Sequence, residues 1–290
     1  MYKFFSPEDD FKNLIEQTLH SQDTVQSIHT IQTGWTNVTI DVHGEKDDYI
    51  FRFPRNLFFA TAMVRDGTFC QFIEGKTSFK TPHMTLEFSE GRPFSMHHKI
   101  KGKALSALTL TQKQEEILAE DIAQFLTELH ALPVVEFPKN IRMTLNEFLT
   151  GLAGVHQSYD FNRHKALQEM ENTCDLSMVH GDFNPGNVLV SEDYHLSGVI
   201  DFAFATLSEP HTDIGRFWGR SSDFMGQAIA SSYAQKRKKP CNHKAIQDTI
   251  ELFKYVDIKY VDYMQKAHPE ISLPDVLVQQ AEALRLKKII

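Results

Sequence analysis

The spacing of apolar residues changes near Gly102, and this change limits the fold more than any other feature of the chain. In the first hundred residues, apolar and polar side chains alternate within short segments that turns separate, which is typical of an antiparallel sheet. Helical spacing interrupts this alternation twice. The predicted strands cover residues 28–31, 38–42, 49–53, 84–88 and 93–100, and the predicted helices cover residues 6–19 and 60–73.

Beyond Gly102, long helical periodicity replaces the alternation. Residues 111–132 carry apolar side chains three and four positions apart, which gives a helix one stripe that faces a core. A short cluster of strands and turns is predicted over residues 178–202. Further helices are predicted at residues 145–155, 224–236, 244–265 and 273–286.

These two patterns predict an α+β protein with two lobes. Residues 1–98 would form a smaller lobe, made of an antiparallel sheet with one helix inserted after its third strand. Residues 103–290 would form a larger and mostly helical lobe. Because the boundary contains no Pro-, Gly- or Ser-rich linker, residues 99–102 are predicted to be a tight hinge.

The charge of the chain excludes some classes of partner. Its 290 residues include 30 Lys and Arg against 38 Asp and Glu, which gives a formal net charge of −8. An apolar fraction of 41% is ordinary for a globular protein that buries a sizeable core. Since phosphate backbones and anionic lipids attract basic surfaces, neither nucleic acid nor a membrane is expected as a partner.

The cysteines and the start of the chain indicate a cellular compartment. Cys70, Cys174 and Cys241 are far apart and form no Cys-x-x-Cys pair, so neither a disulfide framework nor a structural zinc site is expected. The first ten residues turn acidic where a secretory signal needs apolar residues, and no apolar run of about 18 residues follows. The prediction is a cytoplasmic protein.

Residue types that suit one chemistry cluster between residues 178 and 202. Two apolar segments flank a polar turn, so Asp182 and Asn187 lie on one loop and Asp201 follows the next strand. Phosphoryl transfer requires a carboxylate near the attacking hydroxyl, and oxygen ligands for the Mg²⁺ that bridges the nucleotide phosphates. These three residues supply that set. Taken alone, the Asp182 segment is also typical of a plain turn, and Asp201 of a strand-end cap.

A longer motif surrounds these three residues: His180-Gly181-Asp182-x-x-x-x-Asn187, followed by Ile200-Asp201-Phe202. It resembles the catalytic signature of the aminoglycoside phosphotransferase family, whose members have a protein-kinase-like fold, and most closely the aminoglycoside 2″-phosphotransferase branch. The resemblance extends to a third strand at residues 49–55, a hinge at residues 99–102 and a helix around residues 125–130. It implies a Mg²⁺-dependent kinase that uses ATP or GTP.

The resemblance also implies a role for each matching residue. Asp182 would be the catalytic base that orients the acceptor hydroxyl, and Asn187 and Asp201 would bind Mg²⁺. His180 would brace the catalytic loop. Asp213 follows Asp201 at the family's usual distance and would support the same loop.

The expected nucleotide contacts depart from the family at two positions. Arg52 stands where a third-strand Lys usually holds the phosphates, and Asp66 is the best match to a helix Glu, with Glu74 as a rival. Because Arg is longer than Lys and Asp is shorter than Glu, an Arg52–Asp66 ion pair would preserve the total length. The alternative is that both are solvent-facing charges.

A loop with a single glycine is the candidate phosphate loop. Backbone amides of Gly34, Thr36 and Asn37 would cover the nucleotide phosphates, although no G-x-G-x-x-G pattern is present. A plain hairpin turn fits the local sequence equally well.

The hinge is the candidate site for the nucleotide base. Backbone groups near His98 and Ile100 would pair with the edge of an adenine or a guanine. The dipeptide His97-His98 is interpreted as an exposed turn and not as a metal site, because no further Cys or His ligand spacing accompanies it.

Two further departures lie after the metal-binding motif. Ala203 and Phe204 replace the usual Gly and Asp, and since Ala disfavours positive φ, the turn must be built differently. Arg216 and Arg220 lie where aminoglycoside-modifying relatives tend to have acids. Trp218 is either a core anchor or an aromatic wall for a ring-shaped acceptor.

The main functional prediction is transfer of a nucleotide γ-phosphoryl group to a hydroxyl of an aminoglycoside-like compound, as in antibiotic resistance. The first alternative is a kinase of the same fold for choline, a macrolide, a sugar or a metabolite, and the second is a nucleotide-binding protein without turnover. Carboxylates such as Asp257 and Asp262, presented to a cation, would favour the main prediction. Net charge does not decide, because residues 1–98 and 99–290 each carry −4. We expect a monomer.

Overall fold

The computed structural model describes residues 10–31, 36–141 and 176–267, together with residues 5, 278, 279 and 282. The helices predicted at residues 145–155 and 273–286 lie outside these ranges, apart from the last three isolated residues.

A five-stranded antiparallel sheet forms the smaller lobe, in the order β1-β2-β3-β5-β4. The predicted alternation is confirmed, because every second side chain of the central strands is buried in one core. The strands are β1 (Val25–Ile31), β2 (Asn37–Gly44), β3 (Asp48–Pro54), β4 (Thr85–Ser89) and β5 (Arg92–His98).

Two helices belong to this lobe. Helix α1 (Phe11–Leu19) begins where the carboxylate of Asp10 accepts the N–H of Asn13, and it packs Phe11 and Ile15 against the sheet. Helix α2 (Leu57–Ile73) starts three residues before its predicted position, because the side chain of Asn56 caps it.

Helix α2 has apolar residues on more than one side because it lies between two cores. Met63 is fully buried, and Phe69, Cys70 and Ile73 belong to the core of the larger lobe. The ring of Phe69 lies 5.6 Å from that of Phe202, next to the predicted metal-binding Asp. The helix therefore connects the sheet to the catalytic segment.

The larger lobe combines long helices with two small antiparallel sheets, β6-β8-β9 and β7-β10. The 3-10 turns aside, its described elements are β6 (Lys103–Ala104), α3 (Gln112–His130), β7 (Ser177–Val179), β8 (Val188–Val190), β9 (Leu196–Val199), β10 (Thr206–Ser208), α4 (His211–Trp218), α5 (Asp223–Arg237) and α6 (His243–Ala267). The helices predicted around α3, α5 and α6 are confirmed. The predicted hinge residues 99–102 fall in the connection between β5 and β6.

Helix α4 was absent from the predicted elements. It is only eight residues long, and its polar residues Thr212, Asp213 and Arg216 are buried, so no apolar stripe as long as that of α3 marks it in the sequence. Strand β10 has three residues, too few for its alternation to be visible.

Of the two roles predicted for Trp218, the structure supports the core anchor. The ring lies directly over Gly226, where an added Cβ would stand only 2.2 Å from a ring carbon, and its Nε1–H donates to Asp223 at 3.0 Å. Only glycine permits this close approach of α4 and α5.

The expectation of an exposed His97-His98 turn is wrong. Both residues belong to β5, where they pair with Ile50 and Tyr49 of β3. His97 is buried, since β5 is covered on both faces from residue 94 to residue 97, and burial lowers its pKa. His98 alone is exposed.

Among the described residues, no helix combines the length and the apolar character that crossing a bilayer requires.

Candidate active site

The β8–β9 pair brings the two predicted metal ligands together. Asn187 immediately precedes β8, and its backbone O accepts the N–H of Ile200 at 3.0 Å. Asp201 is the next residue after Ile200. The side chains of Asn187 and Asp201 therefore leave the same end of this hairpin.

The loop that carries Asp182 is held by its own asparagines. The backbone O of Asp182 accepts hydrogen bonds from Nδ2 of Asn184 at 2.9 Å and from Nδ2 of Asn187 at 3.0 Å. Oδ1 of Asn184 also accepts the N–H of Gly186 at 2.9 Å, which starts a short 3-10 turn. Because Asn187 turns its amide nitrogen to the loop, its Oδ1 is the atom available to a metal.

His180 joins this loop to the end of the β9 segment. Its Nε2 lies 3.0 Å from the backbone O of Ile200, and the N–H of Asp182 donates to its Nδ1 at 3.3 Å. A carbonyl can only accept and an N–H can only donate, so these partners select the Nε2–H tautomer. The structure thus places His180 where bracing of the catalytic loop was predicted.

Asp213 holds the same loop from α4. Its side chain is fully buried, and its two oxygens accept the N–H groups of His180 at 2.8 Å and of Gly181 at 3.0 Å. Gly181 has φ +82°, and an added Cβ would stand 2.1 Å from the backbone O of Phe204. Glycine is therefore required at this turn, which Asp213 stabilises through two charge-assisted hydrogen bonds.

A chain of buried polar groups stands behind Asp213. Nε2 of His130 lies 3.1 Å from Asp213, and Nδ1 of His130 lies 2.8 Å from the hydroxyl of Tyr233. Arg237 donates to the same hydroxyl at 2.8 Å. Burial raises the pKa of Tyr233, so its hydroxyl keeps the proton that it shares with His130.

Arg52 and Asp66 are in contact, which decides between the alternatives for the ion pair. NH1 of Arg52 lies 2.5 Å from Oδ2 of Asp66, and NH2 lies 3.6 Å from Oδ1 of Asp201. The Arg52 side chain is 14% exposed and that of Asp66 is 0% exposed, so neither is a solvent-facing charge. Glu74 contacts His83 instead, at 2.8 Å.

These charges perturb the protonation of the cluster. Burial by itself lowers the pKa of Arg52, but the charges of Asp201 and Asp66 outweigh burial and raise the pKa above its ordinary value. Burial raises the pKa of Asp201, and the positive charge of Arg52 opposes this increase. Arg52 therefore stays protonated and partly neutralises the carboxylate that was predicted to bind metal.

Helix α2 also holds the segment after Asp201. Oδ1 of Asp66 accepts the N–H of Phe202 at 2.9 Å. Its neighbour Arg65 holds the same segment, because its guanidinium donates to the backbone O atoms of Ala203 at 3.0 Å and Ala205 at 3.1 Å. A third bond, from NH1 to the backbone O of Ile141, measures 2.5 Å.

The turn with Ala203 is built differently from one with glycine, as its sequence predicted. The positive φ falls on Asp201, at +67°, and not on Ala203. An Asp tolerates this conformation better than most residues, and Arg65 and Asp66 hold the segment on its far side. The strained residue is thus the one that was predicted to bind metal.

The carboxylate of Asp182 contacts an arginine. Nε and NH2 of Arg216 lie 2.9 Å and 2.8 Å from Oδ1 of Asp182. NH1 of Arg216 contacts both oxygens of Asp257, at 2.8 Å and 3.0 Å, and Arg220 contacts Asp257 at 2.7 Å. The four side chains form a continuous row of alternating charge.

The predicted phosphate loop is only partly described. Gly34 lies outside the described residues, and Thr36 and Asn37 stand at the start of β2. Nδ2 of Asn37 donates to Oγ1 of Thr36 at 2.8 Å, whereas the buried Oδ1 of Asn37 has no hydrogen-bond partner among the residues that the structure describes.

The predicted base-binding backbone lies at the end of β5. The backbone O of His98 already accepts a hydrogen bond from Nδ1 of His97 at 2.9 Å. Ile100 is buried and packs close to Gly198 of β9, so this connection touches both lobes.

The donor set fits Mg²⁺ better than a transition metal. Within the described part of the chain, no group of three His, Cys, Asp or Glu side chains is arranged to hold a metal ion. An amide oxygen of Asn187 and a carboxylate of Asp201 are hard oxygen ligands, which suit Mg²⁺ together with water and phosphate oxygens. Both candidate ligands agree with the predicted cofactor.

Sequence reasoning missed three contributors to this site: Arg65, Asn184 and Tyr233. Arg65 precedes Asp66 on α2 and was hidden because its partners are backbone carbonyls some 140 positions away in the chain. Asn184 was visible inside the catalytic motif, two positions after Asp182, and a turn-forming Asn before Pro is a usable signal. No local signal marked Tyr233.

The fold and the site together define a kinase-like phosphotransferase with two lobes. Residues 27–239 match the model of the phosphotransferase enzyme family, APH, and the chain belongs to that family. Three predictions are confirmed: the resemblance to the aminoglycoside phosphotransferase family, the α+β kinase-like fold and the phosphotransferase activity class.

Solved structures of related fold are similar over nearly the whole chain. The GDP and kanamycin complex of APH(2″)-IIIa matches with a TM-score of 0.72 and 19% identity, covering 97% of this chain and 99% of that one. The streptomycin–ATP complex of APH(2″)-IIa matches with a TM-score of 0.61 and 20% identity, covering 88% and 91%. Macrolide 2′-phosphotransferase MphH from Brachybacterium faecium matches with a TM-score of 0.66 and 14% identity, covering 94% and 97%.

Proposed function

We propose that this protein is a Mg²⁺-dependent kinase that transfers the γ-phosphoryl group of ATP or GTP to a hydroxyl of a small molecule. One observation carries the proposal: the Asn187 side chain donates to the backbone O of Asp182, and the backbone O of Asn187 accepts the N–H of Ile200. Asp182, Asn187 and Asp201 therefore lie at one end of a hairpin, with Arg52 3.6 Å from Asp201. A base, two oxygen ligands and a cation within one cluster are the parts that phosphoryl transfer requires.

In this mechanism, Asp182 accepts a hydrogen bond from the acceptor hydroxyl and orients it toward the phosphorus. Asn187 and Asp201 would hold Mg²⁺, which neutralises charge on the phosphate oxygens and aligns them. Arg52 contributes a further positive charge beside the phosphates, and the loop amides predicted from the sequence to cover the phosphates would complete the nucleotide site. His180 and Asp213 keep the loop in one conformation, so catalysis comes from positioning and charge neutralisation.

The nucleotide base would pair with the backbone near Ile100. The carbonyl of His98 is already hydrogen-bonded to His97, so the base would share that acceptor or use its neighbours. Some structural neighbours were solved with GDP and another with ATP. The proposal therefore keeps both ATP and GTP as phosphoryl donors.

An aminoglycoside-like sugar is the proposed acceptor. Support comes from the family and from neighbours in complex with kanamycin and gentamicin, all under 25% identical to this chain. Asp262, on α6, is an exposed carboxylate on the larger lobe, where an acceptor would bind.

A macrolide, which carries a single amino group where an aminoglycoside carries several, is the second candidate, and Asp257 favours this less cationic acceptor. This carboxylate was expected to face a cationic acceptor, but it contacts Arg216 and Arg220 instead. Macrolide phosphotransferases also share the fold. A nucleotide-binding protein without turnover is less well supported, because Asp182, Asn187 and Asp201 occupy one cluster.

A cytoplasmic monomer completes the proposal. The two described cysteines, Cys70 and Cys241, are free, and Cys70 is buried, which is compatible with a reducing compartment. Size-exclusion chromatography with light scattering measures the oligomeric state.

A phosphorylation screen tests the proposal. Purified protein with Mg²⁺ and either ATP or GTP is incubated with aminoglycosides, macrolides, choline and small sugars, and products are identified by mass spectrometry. Asp182→Asn should lower kcat by roughly 1,000-fold and leave the nucleotide Kd unchanged, because the base touches the acceptor and not the nucleotide. Full activity of Asp182→Asn would remove the assignment.

A further inference from the structure

We infer that Arg216 is a positioning residue for Asp182, an inference that rests on the proposed function. Two nitrogens of Arg216 contact the same oxygen, Oδ1 of Asp182, at 2.8 and 2.9 Å. Oδ2 is then the oxygen left to accept the acceptor hydroxyl. Two N–H donors that converge on one oxygen fix the position of Oδ1 more firmly than a single rotating ammonium does.

Arg216 is itself held on two further sides. Asp257 contacts its NH1 with both oxygens, and the ring of Phe253 lies 4.5 Å from its guanidinium carbon. Its side chain is only 8% exposed, so it has little room for another rotamer. Burial by itself lowers the pKa of Arg216, but the charges of Asp257 and Asp182 outweigh burial and raise it.

Arg220 completes the row at its outer end. It lies four residues after Arg216, just beyond the end of α4, and contacts Asp257 but not Asp182. Asp257 therefore helps to hold the Arg216 side chain in place, and Arg220 in turn stabilises Asp257. This gradient of contact predicts a gradient of effect on kcat, with Arg216 largest, Asp257 intermediate and Arg220 smallest.

The row also sets the charge beside the reacting hydroxyl. Two arginines compensate the two carboxylates Asp182 and Asp257, so these four side chains have no net charge. The acceptor hydroxyl would therefore enter a region that these groups leave neutral, and any ammonium group of the acceptor would bind elsewhere. The role of Arg216 is therefore to orient Asp182 and not to bind a cationic acceptor.

The test is a kinetic comparison of Arg216→Gln with wild type. Phosphoryl transfer from MgATP and MgGTP is measured with kanamycin, with erythromycin, and with water as the acceptor, and the variants are assayed with whichever acceptor the wild type uses. We expect kcat of Arg216→Gln to fall roughly 100-fold, as for a misplaced catalytic group, with an unchanged nucleotide Kd. Arg216→Lys should recover part of this loss.

A double variant separates positioning from stability. Arg216→Gln leaves Asp257 partly unpaired, so Arg216→Gln/Asp257→Asn should regain thermal stability but not kcat. As a surface control, Lys244→Gln removes an exposed charge from α6 and should leave kcat within about twofold of wild type.

Each outcome supports or overturns the inference. A slow Arg216→Gln enzyme with normal nucleotide affinity, still slow in the double variant, supports it. If kcat of Arg216→Gln stays within twofold, or if the double variant recovers kcat along with stability, the role is structural and the inference is wrong. A wild type that is inactive with these three acceptors and with the other aminoglycosides and macrolides, the choline and the sugars of the screen overturns the proposed function and the inference together.

Discussion

Arg52 and Asp66 form an ion pair with their atoms 2.5 Å apart, and Asp66 is fully buried between the sheet and the larger lobe. The same Asp66 accepts the N–H of Phe202, and the same Arg52 reaches toward Asp201. One pair thus links β3, α2 and the segment that carries Asp201, the proposed metal ligand.

Replacing Arg52 by Lys should weaken nucleotide binding about tenfold. Lys has a shorter side chain and a single ammonium, so it cannot reach Asp66 and Asp201 together. Titration with a fluorescent nucleotide analogue in the presence of Mg²⁺ measures the change. Arg52→Lys/Asp66→Glu, which restores the total length, should recover part of the affinity, whereas unchanged affinity in Arg52→Lys would refute the role of the pair.

Replacing Asp213 by Asn should destabilise the protein by about 1–3 kcal/mol, because one backbone N–H of the loop loses its acceptor. The amide can present oxygen to His180 or to Gly181, but not to both. Urea unfolding measures the loss, and kcat should fall with it as the Asp182 loop loosens. Asp248→Asn, which removes a carboxylate from an exposed pair on α6, is the matched control. Equal stability of the two variants would show that Asp213 does not hold the loop.

Replacing Arg65 by Gln should raise the KM for Mg²⁺-nucleotide more than it lowers kcat. The variant loses the bonds to the carbonyls of Ala203 and Ala205, which follow Asp201, the proposed metal ligand. Varying Mg²⁺ at fixed nucleotide concentration measures the effect, which should be about tenfold. Lys76→Gln is a control, since Lys76 follows α2 and also contacts the larger lobe, at Glu136, but in an exposed pair. An equal shift in both variants would mean that any contact between the lobes suffices.

The stabilising effect of Asp257 should depend on pH. Burial by itself raises its pKa, but the charges of Arg216 and Arg220 outweigh burial and hold the pKa below 3.8. The unfolded chain therefore takes up this proton first, so the row contributes stability above about pH 4 and loses it as the pH falls through the lower, folded-state pKa. Asp257→Asn should be about 3 kcal/mol less stable than wild type near pH 7, and the difference should shrink in acid. A difference that stays constant down to pH 3 would contradict this assignment.

Much of the fold follows from local pattern. Strands β2 and β3 bury every second residue, and α3 buries one stripe, so their spacing carried the information that burial requires. Helix α4 was missed because Thr212, Asp213 and Arg216 are polar and yet buried, since each finds its partner on another element. His97 was misplaced because the burial of a histidine depends on the strand beside it.

The candidate site also combines features that the sequence predicts with features that only the tertiary structure decides. The chain by itself determined which residues could carry the chemistry, Asp182, Asn187 and Asp201, because their types and spacing lie within one short segment. Only the tertiary structure decided what holds them: Asp66 and not Glu74 meets Arg52, and Arg216 meets Asp182 instead of facing an acceptor. Ion pairs between distant segments form where packing brings charges within a few ångströms, and no local spacing encodes that distance.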